Sequence, residues 1–343
     1  MASPSAGSTS TFKIGHLTAR LVNGVLGDPL LLVRLQYSRR CLLFDLGDAG
    51  KLRTRLAHDT TDVFVSHAHI DHVAGFLWLL RSRVGDFPPC RLYGPPGFAE
   101  NVASLVAGIH WDRVGDRAPR FAIAEFDGKR VERFEVVAGR AAAEHTGGAA
   151  APDGLVLADP LLRVRAALLD HRTPVVAYAL EPNADIKVRK ERLAALGLKP
   201  GPWLSQLKRA VATRETDAVL DLPNGDRRTA EDLAAELLLI RPGKKLVYAT
   251  DLADTTANRE RLVALARGAH TLFCEAAFCE ADAERAAATG HLTARACGEI
   301  ATASGVERLI PFHFSRRYED DRAKVYREVR AACARSIEPR VPA

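Results

Sequence analysis

Asp62-Val-Phe-Val-Ser-His67-Ala-His69-Ile-Asp71-His72 is the stretch from which the rest of this chain is read. Val63-Phe-Val65 is a short apolar run bounded by polar residues, the pattern of a buried strand. The strand is expected to end at Ser66. His67 and His69 lie two apart in the loop that follows, so their imidazoles can converge on one ion. Asp71 and His72 come next, at the start of a helix expected from about Val73 to Arg83. Zinc favours histidine nitrogen and carboxylate oxygen, and a catalytic site leaves a position for water. A lone histidine is more commonly a hydrogen-bonded core side chain. Three histidines and an aspartate within six residues can serve two ions.

Outward from this stretch, short strands are expected at Leu30–Leu35, Cys41–Phe44, Arg91–Tyr93 and Leu162–Leu169, with a helix at Ala99–Ala107. The pattern then repeats. Strands at Lys245–Ala249, Thr271–Phe273 and Arg308–Ile310 alternate with helices at Asn258–Arg267, Thr293–Ala303 and Arg322–Cys333. Two halves of this kind suggest two stacked sheets with helices outside. Residues 138–153 are rich in Ala and Gly and read as a flexible loop. Residues 183–243 are charged, contain the Gly197-Leu-Lys-Pro-Gly-Pro202 break and read as an inserted arm between the halves.

Composition narrows the class without choosing the function. The chain has 343 residues, 47% hydrophobic and 26% charged, as expected of a globular enzyme. Its first 11 residues are small and polar, with no apolar stretch behind a positive segment, which argues against a secretory signal. Apolar runs such as Leu237–Ile240 fall far short of a membrane span. A cytoplasmic protein without membrane association is expected. Six cysteines without CxxC spacing suggest neither a disulfide framework nor a cysteine metal site. The formal net charge of +6 suits a polyanionic partner but does not specify one.

The order His-x-His-x-Asp-His after an apolar strand resembles the signature of the metallo-β-lactamase superfamily. The resemblance implies an α+β fold, a four-layer αββα sandwich, and it calls for partners further along the chain. His171 lies in Leu169-Asp-His171-Arg-Thr-Pro174, Asp251 follows Leu246-Val-Tyr-Ala-Thr250, and His313 ends Leu309-Ile-Pro-Phe-His313. Each sits just past an apolar strand. The resemblance implies that His67, His69 and His171 hold one zinc ion and Asp71, His72 and His313 a second. Asp251 would bridge the two, with Mn2+ as an alternative metal. Asp45, in Phe44-Asp45-Leu-Gly47-Asp48, matches an early motif whose aspartate orients ligands from behind.

Over most of residues 40–320 the chain is similar to the ribonuclease Z family of tRNA 3′-end endonucleases. The similarity rests on Tyr93-Gly-Pro95, on His171…Pro174…Tyr178 followed by Glu181-Pro182, and on Cys274-Glu275-Ala276-Ala277-Phe278. It also rests on His291-Leu-Thr293, which lies 313 − 291 = 22 residues before His313. Gly201-Pro-Trp-Leu-Ser-Gln-Leu-Lys208-Arg209 resembles part of the family's tRNA-gripping exosite arm. The chain departs from the family at residues 17–29, where the usual Gly-rich opening segment is missing and Gly24, Gly27 and Pro29 remain as turn formers.

This resemblance implies tails at 1–11 and 336–343, metallo-β-lactamase halves at 12–182 and 244–335, and an exosite-like arm at 183–243. It implies a zinc-dependent phosphodiesterase that removes the 3′ trailer of pre-tRNA by metal-activated hydroxide. Asp71 would accept or steer the proton, His291 would protonate the leaving 3′ oxygen or hold a phosphate oxygen, and Glu275 would orient His291. Arg316 and Arg317 are candidates for holding a substrate phosphate, and Lys199, Lys208 and Arg209 for contacts from the arm. A homodimer is implied, one subunit's arm serving the other's site. The competing readings are a dizinc hydrolase of a small phosphodiester, lactone or thioester, and a non-catalytic RNA-binding relative. The last class loses metal ligands, and none is missing here.

Overall fold

The computed structural model describes residues 11–36, 38, 40–140 and 142–338. The first sheet has nine strands in sequence order. They are β1 (Thr11–Ile14), β2 (Leu17–Leu21), β3 (Leu31–Leu35), β4 (Cys41–Phe44), β5 (Thr60–Phe64), β6 (Cys90–Gly94), β7 (Arg120–Phe126), β8 (Arg130–Val137) and β9 (Glu144–Ala150). Strands β4 to β7 are parallel, and both flanks are antiparallel. Helices α1 (Thr54–Asp59), α2 (Ile70–Val73), α3 (Phe76–Ser82) and α4 (Phe98–Ala107) fall within this half.

The second sheet begins with β10 (Leu155–Ala158), β11 (Leu162–Asp170) and β12 (Pro174–Pro182). The chain then leaves for β13 (Asp185–Val188), α5 (Lys190–Ala195), α6 (Pro202–Thr213), β14 (Val219–Asp221), β15 (Arg227–Thr229), α7 (Ala230–Leu237) and β16 (Leu238–Arg241). These surround a core of their own, including Ile186, Trp203, Leu207, Leu233 and Leu237. β17 (Leu246–Ala249) returns beside β12, and β18 (Thr271–Glu275) and β19 (Arg308–Phe312) complete six strands. Helices α8 (Thr256–Ala266), α9 (Ala283–Thr289), α10 (Ala294–Ser304) and α11 (Arg322–Ala332) accompany this half.

Central strands of the first sheet are buried on both faces, which explains their unbroken apolar sequence. Leu42, Phe44 and Phe64 face the second sheet and pack with Tyr178, Tyr248 and Phe273. Leu43, Val63 and Val65 face outward and pack with Leu79 and Val102 of α3 and α4. The layers are thus helix, sheet, sheet, helix, as expected. The Tyr178 hydroxyl donates to the Val65 carbonyl at 2.7 Å, and the Val176 amide to the Ser66 carbonyl at 2.9 Å. These bonds pin the two sheets together beside His67.

Three expectations need correction. Residues 144–150 form β9, an exposed edge strand, rather than part of a loop. Its ladder with β8 supplies the order that Ala and Gly side chains do not signal. The helix expected at Val73–Arg83 starts earlier and is broken near Gly75, whose amide donates to the Leu46 carbonyl at 2.7 Å. Asp71 and His72 therefore lie within α2. The expected limits of the body are too narrow: Thr11 opens β1, and Ser336 bridges Leu309. Residues 1–10 and 339–343 lie outside the described residues. Among those described, all six cysteines are free and buried, and no helix is long and apolar enough to cross a membrane.

Candidate metal centre

The centre is assembled at strand ends by backbone that turns sharply. Asp45 after β4, Asp251 after β17 and His313 after β19 all have positive φ, at 54°, 51° and 57°. Non-glycine residues seldom adopt this conformation, and here it re-aims three side chains at one spot. Asp45 organises its neighbours. Its Oδ1 accepts from the Ser66 amide at 2.6 Å. Its Oδ2 accepts from the Ser66 hydroxyl at 3.0 Å, the Tyr248 hydroxyl at 2.7 Å and His72 Nδ1 at 2.9 Å. That last bond leaves His72 Nε2 facing Asp71 and Asp251, as metal-ligating histidines require. Only glycine fits at position 47, because a Cβ there would lie 2.7 Å from the Asp71 carbonyl.

Asp251 lies in the middle. Its Oδ2 is 3.2 Å from His72 Nε2 and 3.8 Å from both His67 Nε2 and His171 Nε2. Its Oδ1 is 3.3 Å from His313 Nδ1. Asp71 Oδ2 is 3.4 Å from His72 Nε2 and 3.6 Å from His313 Nε2. His67, His69, His171 and Asp251 have donor atoms within 4.8 Å of one another. So do Asp71, His72, Asp251 and His313. The structure therefore brings together all seven side chains expected to meet. His171 Nδ1 donates to the Gly290 carbonyl at 2.7 Å, which leaves Nε2 for the centre.

The donor set fits metal. His67 Nε2, His72 Nε2 and His313 Nδ1 are buried and make no hydrogen bond. Buried polar atoms are costly when unpaired, and lone pairs aimed at a cation resolve that cost. Electrostatics agrees. Burial, then the neighbouring His72, pushes His67 down to about 2, so it is neutral and ready to ligate. Burial disfavours charge on His72 and on His313 too. Nearby carboxylates, Asp251 foremost, outweigh it and draw protons onto both imidazoles. The carboxylates demand positive charge at this spot, and divalent cations supply it more directly than protons.

A second group lies alongside. Glu275 is fully buried at the end of β18, where Oε1 accepts from the Leu252 amide at 2.7 Å. Its Oε2 accepts from His291 Nδ1 at 2.9 Å. Burial opposes the charged form of His291, yet Glu275 overcomes this and holds the imidazole up to about 9. The His291 ring lies 4.8 Å from His171 and 5.6 Å from His313 between centroids.

The basic residues fare unevenly. Arg316 is exposed beyond His313, whereas Arg317 is tied to Asp282 and stacks over Phe278 at 5.7 Å. Lys199 and Arg209 are exposed on the inserted unit. Lys208 is half-buried; burial lowers its pKa against the attraction of Asp185. Sequence reading missed Ser66, Tyr248, Thr250 and Gly290. Ser66 and Thr250 each precede a ligand directly, and Thr250 donates to Asp251 Oδ1 at 2.6 Å. That adjacency was a usable signal. Tyr248 reads as one more apolar strand residue, and Gly290 as an ordinary helix end.

Stacked sheets with this ligand set at their ends define a metallo-β-lactamase fold protein. A model of the beta-lactamase superfamily domain matches residues 173–314. The fold is shared with human tRNase Z, short form, at TM-score 0.52 and 18% identity, covering 91% of this chain and 94% of that one. It is shared equally with a metallo-beta-lactamase fold protein of Bacillus subtilis, at TM-score 0.53 and 15% identity, covering 92% and 93%. Ribonuclease Z of Deinococcus radiodurans is 33% identical over 315 residues, covering 86% of this chain and 90% of the relative. Ribonuclease Z of Methanothermobacter thermautotrophicus is 29% identical, covering 84% and 81%. The chain belongs to the ribonuclease Z family.

Proposed function

We propose that this protein is a dizinc endoribonuclease that removes the 3′ trailer of pre-tRNA. The observation that carries the reading is the complete set of seven ligands around Asp251 with the Glu275–His291 pair beside it, in a chain of this family. His67, His69 and His171 would hold one ion and Asp71, His72 and His313 the other, with Asp251 available to both. Mn2+ suits the same donors. When bound, the ions supply Lewis acidity and acidify water towards neutrality.

The chain's own groups do the rest. Asp71, only partly buried, steers the proton released by the attacking water; burial opposes its charge, but His313 and His72 outweigh this and hold its carboxyl well below the ordinary range, so it stays a carboxylate. His291 uses Nδ1 to hold Glu275, so its Nε2 proton is the one given to the leaving 3′ oxygen. Glu275 positions that imidazole and keeps it protonated. Arg316, exposed and beside His313, holds a substrate phosphate. We read residues 183–243 as an exosite-like arm between body segments 12–182 and 244–335, with Lys199 and Arg209 as its phosphate contacts. A cytoplasmic homodimer, one arm serving the partner's site, fits this arrangement.

The test is cleavage of a 3′-extended pre-tRNA beside bis(p-nitrophenyl) phosphate, with metal analysis of the purified protein. Precise trailer removal, about two zinc ions per chain and loss of turnover in Asp71→Ala are expected. Turnover of the small ester without RNA cleavage would instead favour a small-molecule hydrolase.

A further inference from the structure

The helix layer over the first sheet stops short of its edge. Burial in β2 alternates: Leu17, Ala19 and Leu21 point into the core, and Thr18 and Arg20 point outward. In β3, Arg34 faces out beside Thr18, and Leu32 lies opposite Arg20. Next to this face runs Lys51 and Arg53 into α1, with Arg55 in its first turn. The result is a groove of about 650 Å3 lined by Arg20, Arg34, Lys51, Arg53 and Arg55, with Asp59 the one carboxylate among the described lining residues.

Arg34 reaches Asp59 at 3.9 Å. Arg20, Lys51, Arg53 and Arg55 form no ion pair with a described residue, and the Nε of Arg20 is buried without a hydrogen-bond partner. Burial also lowers the pKa of Arg20, so its charge is held there against a desolvation cost. Four unpaired cations around one depression repel one another and call for an anion of several charges. Among the described residues none that lines the groove is aromatic, so they offer no platform for stacked bases. Its chemistry is that of phosphate contact.

Position says which polyanion. Arg20 leads into the loop after β2, and Lys51 and Arg53 end the loop after β4. Asn23 Nδ2 joins these loops, donating to the Asp28 carbonyl at 3.0 Å and the Asp48 carbonyl at 2.8 Å. The same loops wall the metal centre. Gly47 packs on the Asp71 backbone, and the Phe314 amide, next to His313, donates to the Val25 carbonyl at 2.7 Å. We propose that this groove carries the phosphate backbone of the substrate RNA as it leaves the metal centre, a sequence-independent grip on the body of the enzyme. The assignment rests on the endoribonuclease reading above.

The experiment compares two triple variants. One carries Lys51→Glu, Arg53→Glu and Arg55→Glu, all at exposed positions in the groove. The other carries Arg322→Glu, Arg327→Glu and Arg330→Glu on α11, in the opposite helix layer, with the same change of charge. Binding of a 3′-extended pre-tRNA is followed by fluorescence anisotropy against salt, in an Asp71→Ala background that prevents cleavage. Turnover of bis(p-nitrophenyl) phosphate is followed in the background that retains Asp71. The groove variant is expected to bind pre-tRNA about tenfold or more weakly, its salt slope shallower by about 0.7–0.9 for each phosphate that is no longer neutralised. The α11 variant should bind as the parent does, and small-ester turnover should be unchanged in both. Unchanged affinity and slope in the groove variant, equal weakening in both variants, or a parallel fall in small-ester turnover would each overturn the assignment. If the parent binds no pre-tRNA, the endoribonuclease reading itself fails, and the groove assignment fails with it.

Discussion

Asp45 directs more of the metal centre than any residue outside the ligand set, because four hydrogen bonds converge on its two oxygens. Tyr248 supplies one of them from the opposite sheet, and replacing it tests whether this support matters. Tyr248→Phe keeps the packing and removes only the hydroxyl, so His72 loses orientation rather than its place. Metal affinity should fall by about tenfold to a hundredfold in a chelator competition. A variant that competes as well as the parent would show Asp45 to be held without it. The pair beyond the ligands predicts a pH effect. His291 is raised from an ordinary 6.5 to about 9. Its contribution to stability is therefore complete below pH 6.5 and is lost as the pH rises through about 9. Glu275→Gln removes the charge that raises it. In chelated protein, where no cation repels the imidazolium, the variant should be less stable than the parent near pH 6. The gap should close above pH 9 in denaturant titrations. At this scale the ligands were legible because their donor types are distinctive and each follows an apolar run. Tyr248 was not, since nothing local distinguishes a hydroxyl aimed at Asp45 from a core phenol.

Strand β5 delivers the histidine cluster, and its own anchorage lies at the other end. Asp62 is fully buried there and accepts from Arg40 Nε at 3.0 Å and Arg91 Nε at 2.7 Å. Arg40 also pairs with Asp159 on the loop before β11, so the cluster staples one half to the other. Asp62→Ala would leave Arg40 buried with half its compensation. Breaking a buried pair from one side costs about 3–5 kcal/mol, and a loss of that order is expected in denaturant unfolding. A change under about 1 kcal/mol would mean that water or a rearranged Asp159 satisfies Arg40. Element by element, the sequence was most legible where burial is two-sided. Cys41–Phe44 is a strand with the same limits as read. It was least legible in β9, whose residues carry no burial pattern and are ordered only by pairing with β8.

The whole molecule is a two-sheet body with one folded unit set into the second sheet. That the body would be a sandwich followed from the alternation of apolar runs and helices in both halves. The internal order of residues 185–241 did not, because their small core is spread over seven short elements. Their attachment makes a clean excision feasible. β12 and β17 are antiparallel neighbours, with Leu180 opposite Leu246, and a Cβ on Gly243 would collide with the Pro182 carbonyl. The chain thus leaves and re-enters the body at nearly one point, where a short hairpin loop can replace the unit. The unit also touches the body, where Lys208 and Ala212 of α6 lie near His16. Asp185 packs on Gly15 and lies 3.9 Å from His16 Nδ1, so Asp185 has to stay with the body. A chain in which Gly-rich linker replaces residues 187–241 should fold, bind metal and turn over bis(p-nitrophenyl) phosphate at the parent rate. If the unit is an exosite, KM for a 3′-extended pre-tRNA should rise by an order of magnitude or more, while kcat on saturating RNA changes little, because the missing grip is uniform between ground and transition states. Equal KM values for the two chains would assign the unit to architecture alone and leave RNA capture to the body.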